Sequence, residues 1–230
     1  MISPRLLVLW DIDHTLIEAW GSGRKAYERA FAATFGRELE MLAGMQGRTE
    51  LGIASETIAL HGMEATEEAT VALMAALAQA FEDGKDELFA DGRALPGARE
   101  ALSAFAAEKA VHQGVLTGNL PGVARLKLEA FQLDGYLDLD ASAYGDDHEN
   151  RTELVAVARE RARRAGLSVS ETVLVGDTPR DVVAGLESGA RVVAVATGRC
   201  GEEELRSAGA TVVLRDLTDL DEVTAGVMGW

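Results

Sequence analysis

The sequence predicts an α/β protein, with a doubly wound, Rossmann-like parallel sheet as its core and an inserted α-helical cap. Short apolar runs without polar alternation recur along the chain, and helical patterns separate them. Such runs are typical of strands buried on both faces of a parallel sheet. Their alternation with helices favours the doubly wound arrangement. One long stretch after the first run has helical patterning alone, which indicates the insertion.

Four apolar runs are predicted to be strands, at residues 6–10, 111–116, 172–175 and 191–195. Helices are predicted at residues 98–107, 123–131, 153–165 and 181–187, where apolar residues recur at helical spacing. Each predicted strand leads into a short polar segment. Because ligands of open α/β sheets bind beyond the carboxyl ends of the strands, these polar segments form the candidate site.

The inserted stretch runs from about residue 18 to residue 91 and carries helical patterns at 24–35, 51–61 and 64–83. Glycine-containing segments flank it, Gly21-Ser22-Gly23 before and Asp91-Gly92-Arg93 after, as hinges would. We therefore expect a catalytic core of residues 1–16 and 95–230 and a helical cap of residues 17–94.

Composition excludes several classes of protein. The chain has 230 residues, 47% of them hydrophobic, a net charge of −16 and a single cysteine, Cys200. The negative field repels nucleic acid and anionic membrane surfaces, and one cysteine forms no internal disulfide and no cysteine zinc site. No segment is apolar long enough to span a bilayer, and the first residues form no secretory hydrophobic region. We expect a cytoplasmic protein without nucleic-acid or membrane partners.

Asp11 and Asp13 follow the first predicted strand, two residues apart. In extended backbone both carboxylates point to one side, where they can converge on one cation. Mg²⁺ prefers oxygen ligands and would offset their mutual repulsion. Taken alone, an Asp-x-Asp segment is more often a polar strand end with a local turn.

Two further strand ends carry similar polar chemistry. Thr117-Gly118-Asn119 offers a hydroxyl, a permissive glycine and an amide, the components of an oxyanion cradle, although alone it is more often a turn. Asp177 and Asp181 follow the third strand, and Asp181 also suits the N-terminus of the next helix. Asp177 lies between a buried run and a turn, so its carboxylate needs a partner from another strand end.

A cation is expected to balance these carboxylates. Arg151 ends the acidic segment 146–151, and either a solvated loop or a phosphate-binding arginine fits that pattern. Lys127 is the second candidate, placed after Arg151 because it falls in a predicted helix well before that loop.

Together, these motifs resemble the four motifs of the haloacid dehalogenase-like hydrolase superfamily, with Asp11-x-Asp13-x-Thr15 as the first of them. Thr117-Gly118-Asn119, Arg151 and Gly176-Asp177-x-x-x-Asp181 correspond to the others. The helical insertion after the first motif resembles the C1-capped, phosphoglycolate-phosphatase-like branch. The resemblance spans nearly the whole chain.

The resemblance implies phosphatase chemistry with Mg²⁺ as cofactor. Asp11 would attack phosphorus and form an aspartyl-phosphate, and Asp13 would act as general acid and base. Mg²⁺ would be held by Asp11, by Asp177 and by the backbone carbonyl of Asp13. Asp181 and Thr15 would support these ligands from behind.

The resemblance also implies a phosphate-binding set. Thr117 and Arg151 would bind the transferring phosphoryl oxygens, with Gly118 and Asn119 close by. Two positions depart from the family pattern. His14 stands where the family usually has glycine, and Arg151 replaces the usual lysine, which keeps the charge but changes reach and donor geometry.

Substrate choice is expected to depend on the cap. Arg48 precedes a predicted cap helix and could meet a substrate anion when the cap closes, although an exposed arginine fits the pattern equally well. Trp20 and Arg24, near the first hinge, are weaker candidates, and Trp20 suits packing between cap and core.

Within this superfamily the residues favour hydrolysis of a phosphomonoester. Asp13 and Asp177 argue against dehalogenation, which uses neither the second aspartate nor the metal. In this superfamily a phosphonatase needs a cap lysine for a Schiff base, and the sugar phosphomutases also use a cap lysine. Residues 26–84 contain no lysine, which argues against both activities. We expect a small, anionic phosphate ester, with phosphoglycolate as the first guess, and a monomer or weak homodimer. The alternatives are a non-catalytic phosphate-binding regulator and a phosphotransferase or mutase.

Overall fold

The computed structural model describes residues 5–19 and 21–229, so Trp20 lies outside the described residues. The strands are β1 Leu6–Trp10, β2 Ile17–Glu18, β3 Arg93–Ala94, β4 Val111–Val115, β5 Glu171–Gly176, β6 Arg191–Val195 and β7 Val212–Leu214. Within the described residues five strands form one sheet in the order β4-β1-β5-β6-β7, and every pairing in it is parallel. The doubly wound parallel sheet predicted from the sequence is confirmed.

Helices cover both faces of this sheet and build the insertion. They are α1 Ser22–Phe35, α2 Glu50–Leu60, α3 Glu67–Asp83, α4 Lys85–Asp91, α5 Ala98–Ala107, α6 Pro121–Ala130, α7 Arg151–Arg164, α8 Pro179–Glu187, α9 Glu202–Ser207 and α10 Leu220–Met228. The sequence pattern did not predict α4, α9, α10, β2, β3 or β7. All of these elements except α10 have seven residues or fewer, too short for a period to show.

The absence of alternation in β1 has a direct structural cause. Its five residues are all buried, because the sheet is covered on both sides. Val8 and Trp10 pack in one cluster with residues of α5, α6 and α10. Leu7 and Leu9 pack in another with residues of α7 and α8. Each residue therefore meets an apolar layer whichever face it points to.

The helices α1, α2 and α3 of the insertion share an apolar core, to which Leu120 and Val123 at the start of α6 also contribute. Tyr27, Phe31, Ile53, Leu73 and Leu77 are fully or almost fully buried in it. The antiparallel ribbon of β2 and β3 links these helices to the sheet, with Ile17 opposite Ala94. This ribbon lies at the borders expected from the sequence, and we keep residues 17–94 as the proposed cap. None of the described helices is both long and apolar enough to cross a membrane.

Candidate active site

The site lies beyond the carboxyl ends of β4, β1 and β5, which are neighbours in the sheet. Trp10 pairs with Val115 on one side and with Val175 on the other, so the residues that follow these strands emerge together. Backbone bonds continue the register past the strand ends, from Asp11 N to Val175 O at 2.8 Å and from Leu116 N to Trp10 O at 2.9 Å. Motifs that are more than 100 residues apart in sequence therefore meet at one edge of the sheet.

Asp11 is buried and is paired with Arg151, whose Nη2 lies 2.8 Å from Asp11 Oδ1. Burial raises the pKa of Asp11 to about 7; the Arg151 charge opposes this shift, while Asp181 and Asp13 add to it. Burial would lower the pKa of Arg151, but the charges of Asp181 and Asp11 outweigh it and raise the pKa. Arg151 is thus a fixed cation beside the predicted nucleophile.

The structure corrects the expected setting of Arg151. It is the first residue of α7 and is buried, whereas the sequence analysis placed it in a loop before the helix. Asn150 caps the helix by accepting a hydrogen bond from Thr152 N at 3.1 Å. The cap starts the helix earlier than the apolar pattern indicated, and the helix then aims Arg151 at the strand ends.

Asp11, Asp177 and Asp181 form a cluster of buried acids, with one carboxylate oxygen from each within 4.8 Å of the others. Asp177 Oδ2 is buried and has no hydrogen-bond partner among the described residues. Burial, followed by the charges of Asp11 and Asp181, raises the pKa of Asp177 to about 9. An orphaned carboxylate oxygen beside two further acids fits a hard divalent cation, which would favour the ionised carboxylates.

The oxygens of Asp181 already have protein partners. Oδ1 accepts from Arg151 Nε at 2.9 Å, and Oδ2 accepts from Thr178 N at 3.1 Å and Thr178 Oγ1 at 2.5 Å. Thr178 and Asp181 form a capping box at the start of α8. Asp181 therefore positions Arg151 and the helix, which leaves Asp11 and Asp177 as the carboxylates with capacity for a metal.

The carboxylate of Asp13 lies apart from this acid cluster. It accepts hydrogen bonds from Lys127 Nζ at 2.8 and 2.9 Å and from Asn119 Nδ2 at 2.7 Å. Burial would raise the pKa of Asp13, but the Lys127 charge and these hydrogen bonds outweigh it and lower the pKa. The expected metal contact of Asp13 through its backbone carbonyl stays a prediction.

Lys127 is the cation that sequence reasoning undervalued. It lies in α6, as predicted, but its side chain is buried and reaches Asp13 across the strand end. The sequence signal was the helical position itself, because Lys127 shares a helix face with the buried residues Val123 and Ala124. A lysine among buried neighbours needs a partner, and here the partner is Asp13.

Thr117, Gly118 and Asn119 form a compact loop after β4. Thr117 Oγ1 accepts hydrogen bonds from Asn119 N at 3.2 Å and from Asn119 Nδ2 at 2.7 Å. Gly118 leaves room for the cap, because a Cβ there would overlap the carbonyl oxygen of Arg48. Gly118 O in turn accepts from Glu50 N at 2.9 Å. The loop thus touches Asp13 on one side and the cap on the other.

The backbone of the loop after β1 is consistent with the glycine that the family usually has at the position of His14. His14 has a φ of 63°, in the left-handed region that favours glycine. Burial lowers the pKa of His14, against the charges of Asp13 and Glu18. Thr15, expected behind the metal ligands, is fully buried, and its Oγ1 has no hydrogen-bond partner among the described residues.

Arg48 does not point into the acid cluster. Its guanidinium pairs with Glu56, and it donates to Gly52 O at 3.1 Å and to Gly44 O, all within the cap. Its proposed contact with substrate would require this pairing to break. Arg24, the weaker candidate, pairs with Glu28 on the exposed face of α1.

Three positions near the site were not assigned a role from the sequence. Glu50, at the start of α2, is buried and accepts from Tyr27 Oη at 2.5 Å; burial raises its pKa to about 7. Gly198, after β6, allows the approach of Asp177, because a Cβ there would overlap Asp177 Oδ2. Gly145 similarly leaves space for Gly118 O. Gly198 lies in the polar segment after the fourth predicted strand, which was the available signal.

Comparison with known proteins finds relatives that match nearly the whole chain. The chain is 27% identical over 219 residues to the phosphoglycolate phosphatase of Rhodospirillum rubrum, covering 94% of this chain and 89% of that protein. The solved structure of a hydrolase from Pseudomonas syringae is 25% identical, with a TM-score of 0.68 and coverage of 94% of this chain and 95% of that one. A structure described as a β-phosphoglucomutase from Bacteroides vulgatus shares the fold at 19% identity, with a TM-score of 0.67 over 97% of this chain and 90% of that one.

Family models give the assignment. A model described as HAD-hydrolase-like matches residues 153–220. The model of the haloacid dehalogenase-like hydrolases matches residues 8–185, which include Asp11, Thr117, Arg151 and Asp177. The chain therefore belongs to the haloacid dehalogenase-like hydrolase family.

Proposed function

We propose that the protein is a Mg²⁺-dependent phosphomonoesterase that acts on a small anionic phosphate ester through an aspartyl-phosphate. One observation carries the proposal: two aspartates two residues apart have different partners, Asp11 beside Arg151 and the acid cluster, Asp13 beside Lys127 and Asn119. A nucleophile and a separate acid–base group are what a two-step hydrolysis needs. The relative from Rhodospirillum rubrum supports phosphoglycolate as the first candidate substrate.

In the first step a carboxylate oxygen of Asp11 attacks phosphorus, and the bond from phosphorus to the ester oxygen breaks. The electron pair of that bond goes to the leaving oxygen, which is protonated through Asp13. Because Lys127 holds Asp13 as a carboxylate in the free protein, Asp13 first takes up the proton that the phosphate monoanion of the ester brings into the site. Arg151 offers charge to the phosphoryl oxygens beside Asp11. Gly118 lies beside Arg151, since a Cβ on it would be 3.6 Å from Arg151 Nη1, and Thr117 is the hydroxyl we propose for the same phosphoryl group.

In the second step Asp13, now a carboxylate, takes a proton from water as the water oxygen attacks phosphorus. The bond between phosphorus and Asp11 breaks, and its electron pair returns to the Asp11 carboxylate. Asp11 and Asp177, with the Asp13 carbonyl, would hold Mg²⁺, which when bound offsets negative charge during both transfers. Asp181 keeps Arg151 in place throughout.

Two alternatives compete with this proposal. A mutase would return the phosphoryl group to a second hydroxyl of the sugar, and the structural likeness to a described β-phosphoglucomutase keeps that activity open to test. A regulatory phosphate-binding protein would need no acid–base residue, so the setting of Asp13 favours an enzyme. Cytoplasmic location and a monomeric or weakly dimeric state stay predictions from the sequence.

The test is hydrolysis of p-nitrophenyl phosphate and phosphoglycolate by the purified protein, in Mg²⁺ and in EDTA. We expect phosphate release that needs Mg²⁺ and is lost in Asp11→Asn. Conversion of β-glucose 1-phosphate to glucose 6-phosphate without phosphate release would support the mutase. Binding of phosphate without turnover of any of these esters would support the regulatory alternative.

A further inference from the structure

The site contains two buried cations whose partners do not overlap. Arg151 contacts Asp11 and Asp181, whereas Lys127 contacts Asp13 and Asn119. The family resemblance accounts for one cation, the one beside the nucleophile. Lys127 therefore needs an explanation of its own.

The ammonium group of Lys127 has no donor to spare for a phosphate. Nζ carries three N–H donors, and it lies 2.8 and 2.9 Å from the two oxygens of Asp13 and 2.8 Å from Asn119 Oδ1. Asn119 is fixed in turn, because its Nδ2 donates to Asp13 Oδ2 and to Thr117 Oγ1, both at 2.7 Å. Lys127 and Asn119 together hold the Asp13 carboxylate in one orientation.

Lys127 is enclosed, while Asp13 is partly exposed. The Lys127 side chain is 5% exposed, and Asp13 retains 37% of its side-chain surface. Phe81 of the cap covers the lysine, with its ring centroid 5.3 Å from Nζ. Lys127 and Asn119, which hold Asp13, are both buried, so a leaving group can reach Asp13 only at the part of the carboxylate that they leave exposed.

Stability alone is a weak reason for this arrangement. Burying an ammonium group costs desolvation, and an apolar pair in place of a buried ion pair is often equally or more stable. The hydrogen bonds from Lys127 and Asn119 instead fix the orientation of the Asp13 carboxylate, which must contact the leaving oxygen.

We propose that Lys127 is a positioning residue for proton transfer: it orients Asp13 toward the leaving group and does not bind the phosphoryl group. This inference rests on the proposed phosphomonoesterase activity. Loss of Lys127 lets Asp13 rotate away, so esters that need a proton on the leaving oxygen are affected most. The leaving group of phosphoglycolate is a basic alkoxide that needs a proton. The leaving group of p-nitrophenyl phosphate is a stabilised phenolate that needs little protonation.

The experiment measures kcat/KM for both esters in the wild type, Lys127→Met, Asp13→Asn and the double variant, all with Mg²⁺. General acid catalysis contributes about 10²- to 10⁴-fold, so we expect Lys127→Met to lower kcat/KM for phosphoglycolate at least about tenfold more than for p-nitrophenyl phosphate. Asp13→Asn should show the same selectivity, and the double variant should be no worse than Asp13→Asn. The ratio of the two esters is taken on one preparation, so a misfolded fraction cancels.

Two further variants sharpen the result. Arg125→Met removes a cation from the same helix, where Arg125 is exposed and lies 3.9 Å from Glu129, and we expect it to leave the ratio unchanged. Lys127→Gln keeps an N–H donor for Asp13 without the charge and should give an intermediate ratio, which also serves if Lys127→Met does not fold.

Equal loss on both esters in Lys127→Met and Lys127→Gln, or additive effects in the double variant, would overturn the inference and point to a phosphate-binding or structural lysine. That outcome leaves the proposed function intact. If the wild type hydrolyses neither ester, the proposed function itself fails, and the positioning role falls with it.

Discussion

Asp177→Asn should make the metal-free protein more stable while it removes the metal site. Asp177 is buried, and its Oδ2 has no partner among the described residues. Burial and the charges of Asp11 and Asp181 raise its pKa to about 9, against an ordinary value of 3.8. Asparagine has nearly the same shape, carries no charge and offers an N–H donor to the neighbouring carboxylates.

The magnitude follows from proton linkage. At pH 7 the folded protein holds a proton on Asp177 that the unfolded chain has released. Each pH unit between 3.8 and 7 contributes about 1.4 kcal/mol. Holding Asp177 neutral at pH 7 therefore lowers the free energy of unfolding by at most about 4 kcal/mol. Because Asp11 shares the repulsion, we expect Asp177→Asn to recover about half of that, about 2 kcal/mol.

The same reasoning gives the sign of the pH dependence. Between the unfolded and folded pKa values the native state binds more protons than the unfolded state, so stability falls as pH rises. The destabilisation caused by Asp177 is absent below pH 3.8, grows as the pH rises and levels off above about pH 9. The advantage of Asp177→Asn over the wild type should therefore be about 2 kcal/mol greater at about pH 8 than at about pH 5.5.

Urea unfolding in EDTA at these two pH values is the assay, followed by the same measurements in Mg²⁺. Mg²⁺ at about 100 times its dissociation constant should stabilise the wild type by about 2.7 kcal/mol and the variant much less. Asp140→Asn is the control, because Asp140 is exposed and its loss changes the net charge equally. A variant less stable than the wild type in EDTA, or an advantage that does not change with pH, would refute the reasoning.

Two other substitutions test the backbone of the site. Gly118→Ala places a Cβ on the carbonyl oxygen of Arg48 and should lower kcat/KM about tenfold or more by displacing the cap. Gly122→Ala is the control, because a Cβ there meets nothing within 4 Å, and it should leave kcat/KM unchanged. Equal effects of the two variants in an ester assay would contradict the proposed contact between Gly118 and the cap. His14, at φ 63°, should tolerate glycine within about 1 kcal/mol but lose about 1–2 kcal/mol as His14→Val, because a branched side chain is strained in the left-handed region. Urea midpoints compare the two, and a valine variant as stable as the glycine variant would count against left-handed backbone at this position.

Local sequence pattern was sufficient for four of the five strands of the parallel sheet. The run 6–10 has no alternation because helices cover both faces of the sheet, and strands of this kind are recognisable from composition alone. The strand β7 was not predicted, because three residues carry too little pattern to distinguish a strand from a loop. The start of α7 was placed two residues late, because the cap at Asn150 and not the apolar period begins the helix.

The sequence by itself determined that acids, a hydroxyl and an amide end successive buried strands, and parallel strands bring such ends to one edge. The proximity of Asp11 and Asp177 could therefore be predicted from the sequence alone. Only the tertiary structure decided which cation serves which carboxylate. Arg151 pairs with Asp11 over 140 positions and Lys127 with Asp13 over 114, and these pairings depend on strand order, helix docking and side-chain reach. Local pattern carries the period of a segment and its burial, but the partner of a buried charge is set by the distant chain that packs against it.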